Sequence, residues 1–225
     1  MSGPLSILRQ VGQTLEPHGI HVRGALNFRA GEGPALTDGS YASSITLLGN
    51  IGGSIWPAFT RWRETYDGSD PLDTWSKQLI RPLAETLGAT AYFPSDPPWQ
   101  PFQQWAMRAE GLEPSPLGIL IHPQYGLWHG YRAALGFSFR IDAPVTQASH
   151  PCDTCTERPC LTACPVDAIS MTGFHVPTCR TYLAKESGKK SCMISGCLAR
   201  NACPVGEGFR YPPEQLKFHM AALVP

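Results

Sequence analysis

Cys152-Asp153-Thr154-Cys155-Thr156-Glu157-Arg158-Pro159-Cys160-Leu161-Thr162-Ala163-Cys164-Pro165 is the stretch that decides how this chain is read. Its cysteines are spaced Cys-x2-Cys-x4-Cys-x3-Cys, with Pro165 after the last and Val166-Asp167-Ala168-Ile169 beyond. A second group, Cys179-x12-Cys192-x4-Cys197-x5-Cys203, also ends in Cys-Pro, at Pro204. All 8 cysteines of the 225 residues lie between Cys152 and Cys203, and none precedes them. Disulfides would suit a small secreted protein, but Met1 to Gln10 has no basic segment leading into an apolar run, and a reducing cytosol disfavours disulfides. Structural zinc sites use paired Cys-x2-Cys knuckles, and only Cys152 and Cys155 form one. The two Cys-Pro endings favour iron-sulfur ligation over zinc.

A cubane cluster takes four thiolates at the corners of a tetrahedron, so close cysteines wrap one side and a distant one closes the other. The region resembles bacterial-type ferredoxins, in which the cysteine before proline ligates the other motif's cluster. Carried over, the resemblance implies that Cys152, Cys155, Cys160 and Cys203 hold one 4Fe-4S cluster and Cys179, Cys192, Cys197 and Cys164 a second. The intervals depart from the ferredoxin pattern, with x4 where x2 is usual, and leave 4Fe-4S or 3Fe-4S open at the second site. Longer intervals are similar to the cluster domain of epoxyqueuosine reductases, whose Arg-Cys-x-x-Tyr-Leu-like stretch resembles Cys179-Arg180-Thr181-Tyr182-Leu183.

Working back from the cysteines, a polar connector is expected near Ala143 to His150, dividing the chain into domains 1–145 and 146–225. In the first, Leu5, Leu8, Val11 and Leu15 line one helical face that Pro17 and Gly19 end. Strands are expected at Ile20 to Phe28, Ser44 to Gly49, Ala89 to Phe93, Leu117 to Ile121 and Ala133 to Phe139. Gly52-Gly53 turns the chain towards Ile55 to Trp62, or lets backbone approach a cofactor. The clearest helix has Asp70 as cap, Pro71 at its first position, Leu72, Trp75, Leu79, Leu83 and Leu87 inward, and Gly88 as its stop. Pro94 to Pro101 and Glu113 to Pro116 read as loops, and Pro212-Pro213-Glu214 opens a last helix through Leu223. The fold class expected is α+β: a layered α/β domain, then a ferredoxin-like two-cluster domain.

A free ferredoxin needs only the last third of such a chain, so the remainder has its own task. Gly118-Ile119-Leu120-Ile121-His122-Pro123-Gln124-Tyr125-Gly126-Leu127-Trp128 resembles the His-Pro-x-x-Gly-x-Trp stretch of CblC-type cobalamin-processing proteins, as does Leu87-Gly88-Ala89-Thr90-Ala91-Tyr92-Phe93 upstream. That family has a modified nitroreductase fold, and the resemblance implies a nitroreductase-like first domain with His122, Gly126 and Trp128 binding a corrinoid. Asp96-Pro97-Pro98, then Ala106-Met107-Arg108-Ala109-Glu110-Gly111-Leu112, then Gly126-Leu127-Trp128 follow the order of elements in epoxyqueuosine reductases, which implies Asp96 as a catalytic proton donor; a loop-capping aspartate is the plain alternative. Cobalamin is the leading cofactor beside the clusters, with flavin the second choice. Reaching cobalt(I) takes a strong reductant, and iron-sulfur clusters extend down to about −700 mV.

Lysine plus arginine equals aspartate plus glutamate at 18 each, so no overall field draws the chain to nucleic acid or membrane. With no long apolar run, the expectation is a cytoplasmic protein with no membrane contact. Its partners would be a small-molecule cofactor or substrate and a redox protein serving as electron donor, docking on Lys189-Lys190 if that pair is more than a solvated turn. Three functions compete: a reductase in which two clusters deliver electrons to a corrinoid, a ferredoxin-type carrier or docking module with an empty first-domain pocket, and an epoxyqueuosine-reductase-like or flavin-dependent reductase.

Overall fold

The structure, a computed structural model, describes residues 4–141 and 149–223. The expected connector, with the cut between 145 and 146, falls almost wholly outside the described residues. In chain order the elements are α1 (Pro4–Leu15), β1 (His21–Asn27), β2 (Ser44–Ile51), α2 (Trp56–Arg63), α3 (Pro71–Leu87), β3 (Thr90–Tyr92), α4 (Phe102–Glu110), β4 (Glu113–Pro114), β5 (Leu120–Ile121), β6 (His129–Phe137), α5 (Pro159–Thr162), β7 (Ile169–Ser170), β8 (Gly173–Phe174), α6 (Val176–Leu183), α7 (Glu186–Lys189), α8 (Cys192–Ser195), α9 (Leu198–Asn201) and α10 (Pro213–Ala221). They form two units, Met1–Gly111 with Gly130–Gln147, and Leu112–His129 with Ala148–Pro225. Residues 112–129, read from sequence as part of the first domain, therefore belong with the cysteines.

The first unit is built on a four-stranded sheet in the order β1-β2-β6-β3, with β1 antiparallel to β2 and β3 antiparallel to β6. The apolar run of β2 is buried along nearly its whole length, as a central strand covered on both faces should be. Helix α1 packs on α3 and β1, and α4 packs on β1. Val11, Leu15, Ile20, Ile45, Leu47, Leu48, Ile55, Phe59 and Ile80 are all buried in this unit. Each such side chain contributes roughly 1.5–3 kcal/mol on leaving water.

Helix α3 starts and stops where its proline and glycine place it, but two details differ. Its buried stripe is Leu72, Trp75, Ser76, Ile80, Leu83 and Ala84, so Ile80 rather than Leu79 points inward. Adjacent leucine and isoleucine satisfy the same helical period, and the neighbouring packing chooses between them. Asp70 caps with its backbone: its carbonyl accepts from the Thr74 N–H at 3.0 Å and its side chain makes no cap bond. Strand β6 starts at His129 rather than Ala133, because the polar run His129 to Arg132 hides its first half. Only Leu120–Ile121 of the expected strand at 117–121 pairs, and its partner, Glu113–Pro114, had read as loop.

The second unit carries two short ladders, β4–β5 and β7–β8, and helices of four to nine residues. Its apolar centre is Leu117, Ile121, Leu127, Ile169, Ala199 and Cys203. The whole is a mixed α/β protein, and no helix among the described residues is long and apolar enough to cross a membrane.

Candidate functional site

Six of the cysteines sit on or beside short helices of the second unit, and Cys152 and Cys155 lie in the turns before α5. Pro159 starts α5, where its missing N–H costs nothing, and places Cys160 in the first turn. Cys179 lies within α6, Cys192 opens α8, Cys197 precedes α9, and Cys164 and Cys203 follow α5 and α9. All eight are free thiols.

Their mutual electrostatics divide them into two groups of four. Burial pushes the Cys152 thiol up to about 11, and the charges of Cys203, Cys160, Cys155 and Asp153 push in the same direction. Cys160 is raised by burial and then by Cys203 and Cys155, and Cys203 by burial and then by Cys155. Burial likewise pushes Cys179 up to about 11, assisted by Cys197, Cys164 and Cys192 and opposed by Arg180. Cys197 is raised by burial, Cys192 and Cys164. Cys152, Cys155, Cys160 and Cys203 thus act on one another, as do Cys164, Cys179, Cys192 and Cys197.

A backbone N–H aims at one sulfur: Ala168 donates to Cys164 Sγ at 3.3 Å. Such a bond favours thiolate over thiol, the form a metal requires. A cavity of about 420 Å³ is lined by the four cysteines of the first group, with Pro114, Pro116, Ile121, His150, Met171 and Pro204 among the walls. Among the described residues no three His, Cys, Asp or Glu side chains are drawn together as the ligand set of one metal ion. A single zinc with Zn–S near 2.3 Å would need thiolates roughly 3.8 Å apart. A cubane assigns its four thiolates to four different irons and does not require that closeness. The chemistry of the donor set, soft thiols of which four wall one cavity, with one amide directed at Cys164, fits an iron-sulfur cluster on these residues.

The three residues expected to contact a corrinoid lie in this second unit, and none of them lines that cavity. His122 and Gly126 close a turn by exchanging backbone bonds at 2.9 and 2.8 Å. His122 Nδ1 accepts from the backbone N–H groups of Gln124 and Tyr125, and its ring stacks on Tyr125 at 4.0 Å. Gly126 has φ 58°, and a Cβ there would lie 1.9 Å from the Val205 carbonyl oxygen. Trp128 is 0% exposed, packs edge-on against Tyr211 at 5.4 Å, and leaves its Nε1–H without an acceptor.

Asp96, in the first unit, is ion-paired with Lys77 and, at 3.0 Å, with Arg81. Burial raises its carboxyl, but the hydrogen bond and charge of Lys77, with the charge of Arg81, outweigh that and hold it below the ordinary carboxylate range. A proton donor at neutral pH needs the opposite shift. Gly52 turns the chain with φ 54° after β2. Lys189 pairs with Glu186 at 3.2 Å on an exposed helix.

Sequence reasoning passed over Arg200. It lies between Cys197 and Cys203, and its guanidinium stacks 4.4 Å from the Trp128 ring centre and 4.8 Å from that of Tyr211. Its one signal in the sequence was its position between ligands assigned to different groups. Gly206 was also missed: it packs against the backbone of Tyr125, 2.3 Å from a would-be Cβ.

No protein-family profile matches the chain, and no curated protein matches it. Two solved structures share its fold. An epoxyqueuosine reductase from Streptococcus thermophilus superposes with a TM-score of 0.59 at 15% identity, covering 94% of this chain and 68% of that one. A B12-trafficking protein, CblC, from C. elegans superposes with a TM-score of 0.55 at 18% identity, covering 96% of this chain and 91% of that one. The mixed α/β architecture accords with a nitroreductase-like domain. At these identities the likeness concerns the fold.

Proposed function

We propose that this chain is an iron-sulfur electron-transfer protein of reductase type, its eight cysteines holding two 4Fe-4S clusters and a corrinoid serving as its electron acceptor. The observation that carries the reading is the division of the thiols into two groups of four, each completed by a cysteine from the other half of the motif, with one group around a cavity of about 420 Å³. When bound, such clusters supply one-electron carriers at low potential. The chain's own part is to present thiolates, direct the Ala168 N–H at Cys164 Sγ, and keep water away with Leu117, Ile121, Leu127 and Ile169. The corrinoid half of the proposal draws support from a fold shared with a B12-trafficking protein and with a reductase.

A second reading, a carrier that docks a partner and holds no small cofactor in its first unit, is favoured by one observation. His122, Gly126 and Trp128 are occupied in packing within the cysteine-bearing unit. Anaerobic purification with iron, sulfide, cobalt and flavin analysis separates the readings. The first expects about eight irons per chain, together with retention of cob(II)alamin on gel filtration. Eight irons without corrinoid retention selects the carrier, and zinc in place of iron overturns both.

A further inference from the structure

We infer that His150 donates a hydrogen bond from Nε2 to the cluster held by Cys152, Cys155, Cys160 and Cys203, and so raises that cluster's reduction potential. The inference rests on the iron-sulfur reading and begins from the two nitrogens of the imidazole. Nδ1 accepts from the backbone N–H of Cys152 at 3.3 Å, and the His150 carbonyl accepts from the N–H of Asp153 at 3.0 Å. These two bonds clamp residue 150 onto the start of the cysteine motif. Accepting an N–H takes a lone pair on Nδ1, so the neutral ring carries its proton on Nε2. The Asp153 carboxylate does not compete for Nδ1, since it stands 3.9 Å away and is 79% exposed.

Nε2–H is therefore a donor, and it is buried with no acceptor among the described residues. The His150 side chain as a whole is only 13% exposed. A buried donor left unpaired is costly, and each one in a folded chain calls for a partner. His150 is itself a wall of the cavity that Cys152, Cys155, Cys160 and Cys203 line, and no cysteine of the other group lines it. The acceptor such a cavity encloses is sulfur, on the thiolates and on the sulfides of a bound cluster. A cluster on four thiolates is already negative, and each reduction adds one electron from an external low-potential donor without making or breaking a covalent bond. A hydrogen bond to sulfur strengthens as that negative charge grows, so it favours the reduced form over the oxidised one.

The test is potentiometric titration, followed by EPR and visible absorption, of anaerobically purified full-length protein and its His150→Asn and His150→Gln variants. Asparagine can accept the Cys152 N–H two residues on, as in an Asx turn, but brings no donor to the place of Nε2. Glutamine, one carbon longer, carries its amide NH2 to about that place. His150→Asn should lower the reduction equilibrium of one cluster threefold or more, about 28 mV for a one-electron couple, and leave the other cluster unmoved. His150→Gln should shift the same midpoint by less than half as much. Full iron content in His150→Asn with both midpoints within threefold of wild type overturns the inference, as do equal shifts in the two variants. If His150→Asn does not load iron, His150→Gln decides: loading with near-native midpoints upholds the donor, and any other result reduces His150 to a turn-former. Wild-type protein without iron defeats the cluster reading first, and iron analysis shows that outcome before any midpoint is measured.

Discussion

Substituting Gly126 by alanine separates a buttress from a cofactor contact. Gly126 takes φ 58°, where a non-glycine residue costs about 1–2 kcal/mol. Its new Cβ would also lie 1.9 Å from Val205 O and 2.6 Å from Val205 C, both backbone atoms two residues past Cys203. No rotamer relieves such a contact, so the chain after Cys203 must move by more than an ångström. Gly118 provides the control, since it has φ 75° with nothing within 4 Å of its would-be Cβ. Gly118→Ala should cost only the dihedral strain, a fall in Tm of roughly 5–10 °C for a unit of under 100 residues. Gly126→Ala should lose at least twice that and should also lose iron from the cluster that Cys203 completes. The assays are thermal melting and iron content on anaerobic protein. If Gly126→Ala matches Gly118→Ala in both and loses only corrinoid retention, the turn is a cofactor contact and the buttress argument fails.

Other substitutions address other steps. Cys203→Ser should deplete the cluster shared with Cys152, Cys155 and Cys160, and Cys164→Ser the other; EPR showing the same residual signal from both variants would contradict the exchange of closing ligands. Asp96 has a folded pKa below its unfolded value near 3.9, so the stability it contributes is present above that pH and lost as pH falls through the folded value. Asp96→Asn should therefore lower stability by about 0.5–1 kcal/mol at pH 7, a pair that is part-exposed being worth no more, with wild type and variant converging in acid melts. Replacing Lys185, Lys189 and Lys190, all exposed, by glutamate should slow reduction by an acidic electron-carrier protein about tenfold at low salt, an effect that high salt removes and a neutral small reductant does not show. Removing iron by chelation should open residues 149–223 to protease well before the first unit; equal resistance with and without iron would refute it.

What the sequence disclosed followed from how local each signal is. Helix α3 was legible because Pro71, a run of apolar residues at helical spacing and Gly88 act within a few residues of one another. Residues 112–129 were misassigned because membership in a unit is decided by distant packing, here Gly126 on Val205 and Gly206 on Tyr125, which no local pattern announces. Arg200 was invisible for a related reason. An arginine between two cysteines reads as surface charge until Trp128 and Tyr211, 72 residues before and 11 after, are seen to enclose it.

The same features bear on what the proposed centres would do for the second unit. Helices α5, α7, α8 and α9 have four residues each, far below the length at which a helix is stable alone. Their apolar support includes one buried cluster of Leu117, Ile121, Leu127, Ile169, Ala199 and Cys203 and another of Leu183, Cys192 and Met220. Against these stands the conformational entropy of ordering the unit, about 1–2 kcal/mol for each residue. On the proposed reading, thiolates bonded to a metal centre would add to folding, because a site that the unfolded chain lacks turns binding free energy into folding free energy. The His122–Trp128 turn then has a physical reason to lie where it does: Gly126 packs on the backbone of Val205, two residues past Cys203, where no larger residue fits.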